Sequence, residues 1–131
     1  MKRVLFVCVE NSARSQIAEA FFNKLSKTGK ATSAGTRPAP AVNPLAVLIM
    51  KEVGIDISKA KPKILTFEMI DTADKVITMG CGVGNVCPGA IVEAEDWKIE
   101  DPNGKSIEKV REIRNVIQKK VEKLVSNLES Q

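Results

Sequence analysis

The segment KRVLFVCV, residues 2–9, is apolar from Val4 onward, without the polar alternation of a half-exposed strand. A β-branched run of this kind is buried on both faces, which requires packed layers above and below its sheet. Such sheets are parallel and joined by helical crossovers, and the rest of the chain supplies them. A helical segment runs from about Ser15 to Lys27, and ATSAG is a short second strand ending at Gly35. The loop TRPAPAVNP leads to a helix start at Asn43-Pro44, whose apolar face of Leu45, Leu48, Ile49 and Val53 closes at Gly54. DKVITM (74–79) reads as a third buried strand, GCGVGNVCPG as a loop and AIVEAEDW (90–97) as a fourth strand. A last helix, from about Ser106 to Leu128, carries Ile107, Val110, Ile113, Ile117, Val121, Leu124 and Leu128 on one stripe. The expected fold is a single three-layer α/β domain over residues 1–131, a four-stranded parallel sheet with helices on both faces.

Composition narrows the function. A net charge of +4 mildly favours anionic small molecules, and the basic residues between Lys105 and Lys123 interleave with Glu108, Glu112 and Glu122 as a solvated helix face. Tyrosine is absent and Trp97 is the single tryptophan, so base stacking has almost nothing to use and no nucleic-acid partner is expected. No apolar stretch approaches a membrane span and no cleavable signal is evident, so a cytoplasmic protein without a membrane partner is expected. Histidine is absent altogether, which removes Ser-His and Cys-His nucleophile pairs and the histidine-containing zinc sites.

The remaining chemistry concentrates at the end of the first strand. Ligands of open α/β sheets bind beyond the carboxyl ends of strands, against the following helix N-terminus. There the chain reads Cys8, Val9, Glu10, Asn11, Ser12, Ala13, Arg14 and Ser15. A loop of this length can wrap a tetrahedral anion with backbone N–H groups while Arg14 grips two oxygens. A cysteine at its centre is placed to act as a thiolate nucleophile, with the Ser15 hydroxyl as a donor to it. A departing oxygen then needs a proton, and Asp101, in the turn sequence Asp-Pro-Asn-Gly, is the candidate acid. Cys81 and Cys87 flank a glycine-rich segment on the same sheet edge, where inert thiols, a zinc site and a mobile dithiol compete; glycines that permit rearrangement favour the dithiol.

These segments together resemble a thioredoxin-coupled arsenate reductase of the low-molecular-weight protein tyrosine phosphatase superfamily. The resemblance runs through VCVENSARSQIAEAFF, TSAG, VNPLAVLIMKEVGIDIS, VITMGCGVGNVCP and EDWKIEDPNGKS. It implies a phosphatase-type oxyanion loop after the first strand, and no cofactor. It also implies that Cys8 attacks arsenate held by the loop, Arg14 and Ser15, that Asp101 protonates the leaving oxygen, and that Cys81 and then Cys87 carry a disulfide relay out to thioredoxin or a similar dithiol. Phosphate and sulfate would compete for the loop. Asn11 matches the asparagine that shapes the turn, whereas Glu10 stands where the family usually has glycine. Asn11, Glu19 and Ser33 match a potassium site of some reductases, but Lys63 replaces an expected acidic ligand and no metal is expected. A phosphomonoesterase would need only Cys8, Arg14 and Asp101, and an oxyanion-binding redox sensor would not need the acid.

Overall fold

A computed structural model describes residues 2–80 and 94–130. The elements are β1 (Arg3–Cys8), α1 (Arg14–Leu25), β2 (Lys30–Gly35), α2 (Pro44–Lys51), α3 (Phe67–Thr72), β3 (Lys75–Thr78), β4 (Glu95–Asp96) and α4 (Ile107–Glu129). All strand pairs are parallel, in the order β2-β1-β3-β4. The continuous apolar run is therefore a central strand, as its composition requires. Val4, Phe6 and Cys8 join the larger core with α1, α2 and α4, while Leu5 and Val7 face the other side with Ala34. Cys8 pairs with Gly35 and Val7 with Thr78, so β1, β2 and β3 end at one edge and release their loops together.

On the larger face, the expected stripe of α4 buries Val110, Ile113, Ile117, Val121 and Leu124. Asn43 caps α2 by accepting from Leu45 N–H at 2.8 Å, and Pro44 takes the first turn, where its missing N–H costs nothing. Gly54, at φ +81, ends that segment as expected. On the other face lies α3, which the sequence reading passed over. Thr66 caps it by accepting from Met69 N–H at 3.2 Å, and Met69 and Ile70 pack against Leu5, Val7 and Ala34. Of the expected fourth strand AIVEAEDW, residues 90–93 lie outside the described residues, and within the remainder Glu95 and Asp96 pair with β3. Among the described residues, no helix is long and apolar enough to cross a membrane.

The end of α4 is tied to the turn after α1 through Glu129. Its Oε2 accepts from Lys27 N–H at 2.7 Å, Thr28 N–H at 3.2 Å, and the Ser26 and Thr28 hydroxyls at 3.2 and 3.3 Å. These donors, the Lys27 amide first, hold the carboxyl below the usual carboxylate range. A depressed acid stabilises the fold while ionised, so its contribution is present above the unfolded-state value and fades as pH falls through the native one. Glu129→Gln is expected to melt earlier than the parent at pH 7, with the gap closing toward pH 3. Thermal melts across that range measure it, and a gap independent of pH would show that the charge is immaterial.

Candidate active site

The segment from Cys8 to Arg14 leaves β1, turns with its carbonyls outward, and enters α1. The carbonyls of Cys8, Val9, Glu10 and Ser12 accept from the backbone N–H groups of Thr36, Arg37, Ala39 and Asn43 at 2.8–3.3 Å. The proline-rich loop after β2 is thus the outer brace of the oxyanion loop. Gly35 is required at the crossing, because a Cβ there would lie 2.5 Å from the Val9 carbonyl oxygen. With these carbonyls engaged outside, the N–H side of the loop is turned toward Cys8: Asn11 N–H donates to the Cys8 sulfur at 3.2 Å. Ala13, at the N-cap of α1, offers no side-chain cap, and the first turn holds no acid, so the positive helix end is left for an anion.

A chain of hydrogen bonds leads from the backbone to the Cys8 sulfur. Lys63 backbone N–H, which can only donate, reaches Asn11 Oδ1 at 2.9 Å, and Gln16 Nε2 reaches the same oxygen at 3.1 Å. The Asn11 amide is thereby oriented, and its Nδ2 donates to Ser15 Oγ at 2.6 Å. The Ser15 hydroxyl still has its own proton, which it gives to the Cys8 sulfur, 2.8 Å away, when that sulfur is a thiolate. Two hydrogen bonds, from Asn11 N–H and with the Ser15 hydroxyl, thus converge on the buried Cys8 sulfur. Asn11 adopts φ +52, a left-handed conformation that asparagine tolerates better than most residues, and the Gln16 amide also donates to Asn11 O and Lys61 O, at 3.2 and 3.1 Å.

Arg14 is buried at the head of α1. Its Nη1 donates to the carbonyls of Met79 at 2.7 Å and Ile99 at 3.0 Å, which engages both hydrogens of that nitrogen. Among the described residues, Nε and Nη2 have no such partner and are the guanidinium donors left to face an anion. Gly80, at φ +95, lets the chain pass here: a Cβ would strike the backbone of Ile99 and come within 3.1 Å of Arg14 Nη1. Asp96 secures the same corner, its Oδ1 accepting from Thr78 Oγ at 2.7 Å and from Gly80 N–H at 2.8 Å. Cys81 and Cys87 lie outside the described residues.

Asp101 is exposed, with Oδ1 accepting from Asn103 N–H at 3.0 Å, and its loop adjoins the oxyanion loop. Ile99 reaches Arg14, and Asn103 Nδ2 donates to Glu10 Oε1 at 2.8 Å. The Glu10 carboxylate is thus paired with the loop that carries Asp101. Val9 is half-buried, whereas Ser12 and Ala13 are buried. Beneath the loop, Glu19 accepts from Ser33 Oγ at 2.9 Å, and Lys63 Nζ lies 3.6 Å from the same carboxylate oxygen. With an ammonium group already beside Glu19, the residues do not fit a potassium ion, because a second cation would be repelled.

Gln16, Lys63, Gly80 and Asp96 were not singled out as site-building residues. The one available signal was Gln16, a polar residue directly after the loop at the start of a helix that must pack on the sheet.

Residues 3–131 match the family described as low molecular weight phosphotyrosine protein phosphatase. The chain is 39% identical over 131 residues to a glutaredoxin arsenate reductase of Synechocystis, covering 98% of this chain and 99% of the relative. A solved arginine phosphatase from Geobacillus stearothermophilus superposes with a TM-score of 0.86 at 29% identity, covering 99% of this chain and 94% of that one. A thioredoxin-dependent arsenate reductase from Corynebacterium glutamicum superposes with a TM-score of 0.82 at 38% identity, over 100% of this chain and 64% of the other. With a parallel sheet, a cysteine-centred loop after β1 and a family match over nearly its whole length, the chain belongs to the low molecular weight phosphotyrosine protein phosphatase family.

Proposed function

We propose that the protein reduces arsenate to arsenite through a covalent adduct on Cys8. The carrying observation is at Gly80: this residue is fastened to Asp96 and abuts the Arg14 guanidinium, and Cys81 is the next residue in the chain. A phosphatase needs no cysteine at this point in the sequence, next to a residue that abuts Arg14.

The Cys8 thiolate attacks arsenic, an S–As bond forms, and Asp101 protonates the departing oxygen, which leaves as water. Arg14, Ser15 and the loop amides hold the remaining oxygens. The Cys81 thiolate then attacks the Cys8 sulfur. An S–S bond forms, the S–As electron pair stays on arsenic, and As(V) leaves as As(III). Cys87 attacks Cys81, releases the Cys8 thiolate and leaves a Cys81–Cys87 disulfide for a dithiol protein to reduce. The names of the relatives point to thioredoxin or glutaredoxin as that donor.

Fully reduced protein mixed with arsenate, without any reductase, is expected to yield about one arsenite per chain and a Cys81–Cys87 disulfide, read by arsenic speciation and peptide mass spectrometry. Cys87→Ser is expected to stop at Cys8–Cys81. The family match and the arginine phosphatase neighbour favour a second reading, phosphomonoester hydrolysis by Cys8, Arg14 and Asp101. Absence of arsenite with three intact thiols, alongside hydrolysis of 4-nitrophenyl phosphate, would establish that reading in place of the reductase.

A further inference from the structure

We propose that Glu10 is a positioning residue for the acid: its carboxylate, acting through Asn103, holds the Asp101 turn on the oxyanion loop. The proposal rests on the reading of Asp101 as proton donor. The acid loop enters its turn from a fixed point, since Trp97 N–H donates to Thr78 O at 2.9 Å and Ile99 O accepts from Arg14. Beyond Ile99 the support lies mostly at the surface, where Glu100 pairs with Lys105 Nζ at 3.8 Å and Lys109 Nζ at 3.3 Å. Asp101 and its neighbours Asn103, Gly104 and Lys105 are exposed, and a Cβ on Gly104 would meet nothing within 4 Å among the described residues. Pro102, buried between Asp101 and Asn103, anchors the turn backbone, but the Asp101 and Asn103 side chains stand outside that packing.

The hydrogen bond across to Glu10 ties the exposed side of the turn to the oxyanion loop. Glu10 stands on rigid backbone, its carbonyl held by Ala39 N–H at 2.9 Å, and its Oε1 takes the side-chain N–H of Asn103 at 2.8 Å. Asn103 in turn gives its backbone N–H to Asp101 Oδ1 at 3.0 Å. One asparagine therefore links the carboxylate on the oxyanion loop to the carboxyl group that donates the proton. This arrangement also accounts for an acidic residue beside an anion site, where its charge alone would weaken binding. A donor displaced by even an ångström loses much of its effect on rate.

The test is single-turnover arsenite formation, recording both the maximal rate and the arsenate concentration at half saturation. Glu10→Ala is expected to slow the rate about tenfold, and Asn103→Ala to reproduce that loss. Glu10→Gln keeps an acceptor for Asn103 and is expected to recover most of the rate. Both Glu10 variants remove a negative charge and are expected to need about two- to fivefold less arsenate for half saturation. Asp101→Asn gives the loss from removing the acid itself, and adding Glu10→Ala to it is expected to slow the reaction no further.

Additive losses in the double variant, or no rescue by glutamine, would overturn the proposal. An Asp101→Asn protein of undiminished rate would overturn the acid assignment as well. A slow Asp101→Asn protein beside a fast Glu10→Ala protein would overturn the positioning role alone. If no arsenite forms, the same variants are read on 4-nitrophenyl phosphate hydrolysis, so failure of the reductase reading leaves this test intact. Thermal melts confirm that each variant folds.

Discussion

Replacing Arg14 with lysine is expected to lower kcat/KM for arsenate about a thousandfold. Charge is conserved in this change, so the loss must come from geometry. In the native arrangement Nη1 is already engaged by the carbonyls of Met79 and Ile99, and the other nitrogens remain for the anion. A lysine has one nitrogen for both tasks: turned to the carbonyls it leaves the anion, and turned to the anion it releases the β3 corner and the acid loop. Removing a single donor aimed at developing oxyanion charge typically costs about a hundred- to a thousandfold, and the parallel pair of a guanidinium is lost here. Steady-state kinetics, with circular dichroism to confirm the fold, measure this. A loss below tenfold would mean that Arg14 serves only to brace the two carbonyls.

What the chain disclosed before its structure follows from where the information lies. The β1 run and the α4 stripe are long and strongly patterned, so burial on two faces in one case and along one line in the other could be read directly. The six residues of α3 are too few for a helical period to emerge, and within the described part of AIVEAEDW only Glu95 and Asp96 pair, both of them acidic. At the site, Cys8, Arg14 and Ser15 were legible because the nucleophile and its donors sit in one short stretch. Their supports were not. Met79 O, Ile99 O and Lys63 N–H act through backbone atoms, which carry no side-chain identity for a sequence to display. Glu10 was legible as an anomaly, but its partner Asn103 lies 93 positions away, and only folding brings the two together.

The hydrogen-bond chain beneath Cys8 yields the second large effect. Replacing Asn11 with aspartate is expected to slow alkylation of Cys8 by iodoacetamide at pH 7 about ten- to a hundredfold, with turnover falling at least as far. The substitution preserves shape: one aspartate oxygen still accepts from Lys63 N–H and Gln16 Nε2, and aspartate tolerates the left-handed backbone. The other oxygen replaces the N–H that donated to Ser15. Two acceptors then meet, and the Ser15 proton turns to the carboxylate and away from sulfur. The thiolate loses a hydrogen bond at 2.8 Å and gains a nearby negative charge, both of which disfavour it. Ser15→Ala removes the same donor without adding a charge and is expected to lie between aspartate and the parent. Alkylation of Asn11→Asp at the parental rate would show that the serine proton never resided on the sulfur side, and the ordering of donors from Lys63 to Cys8 would fall with it.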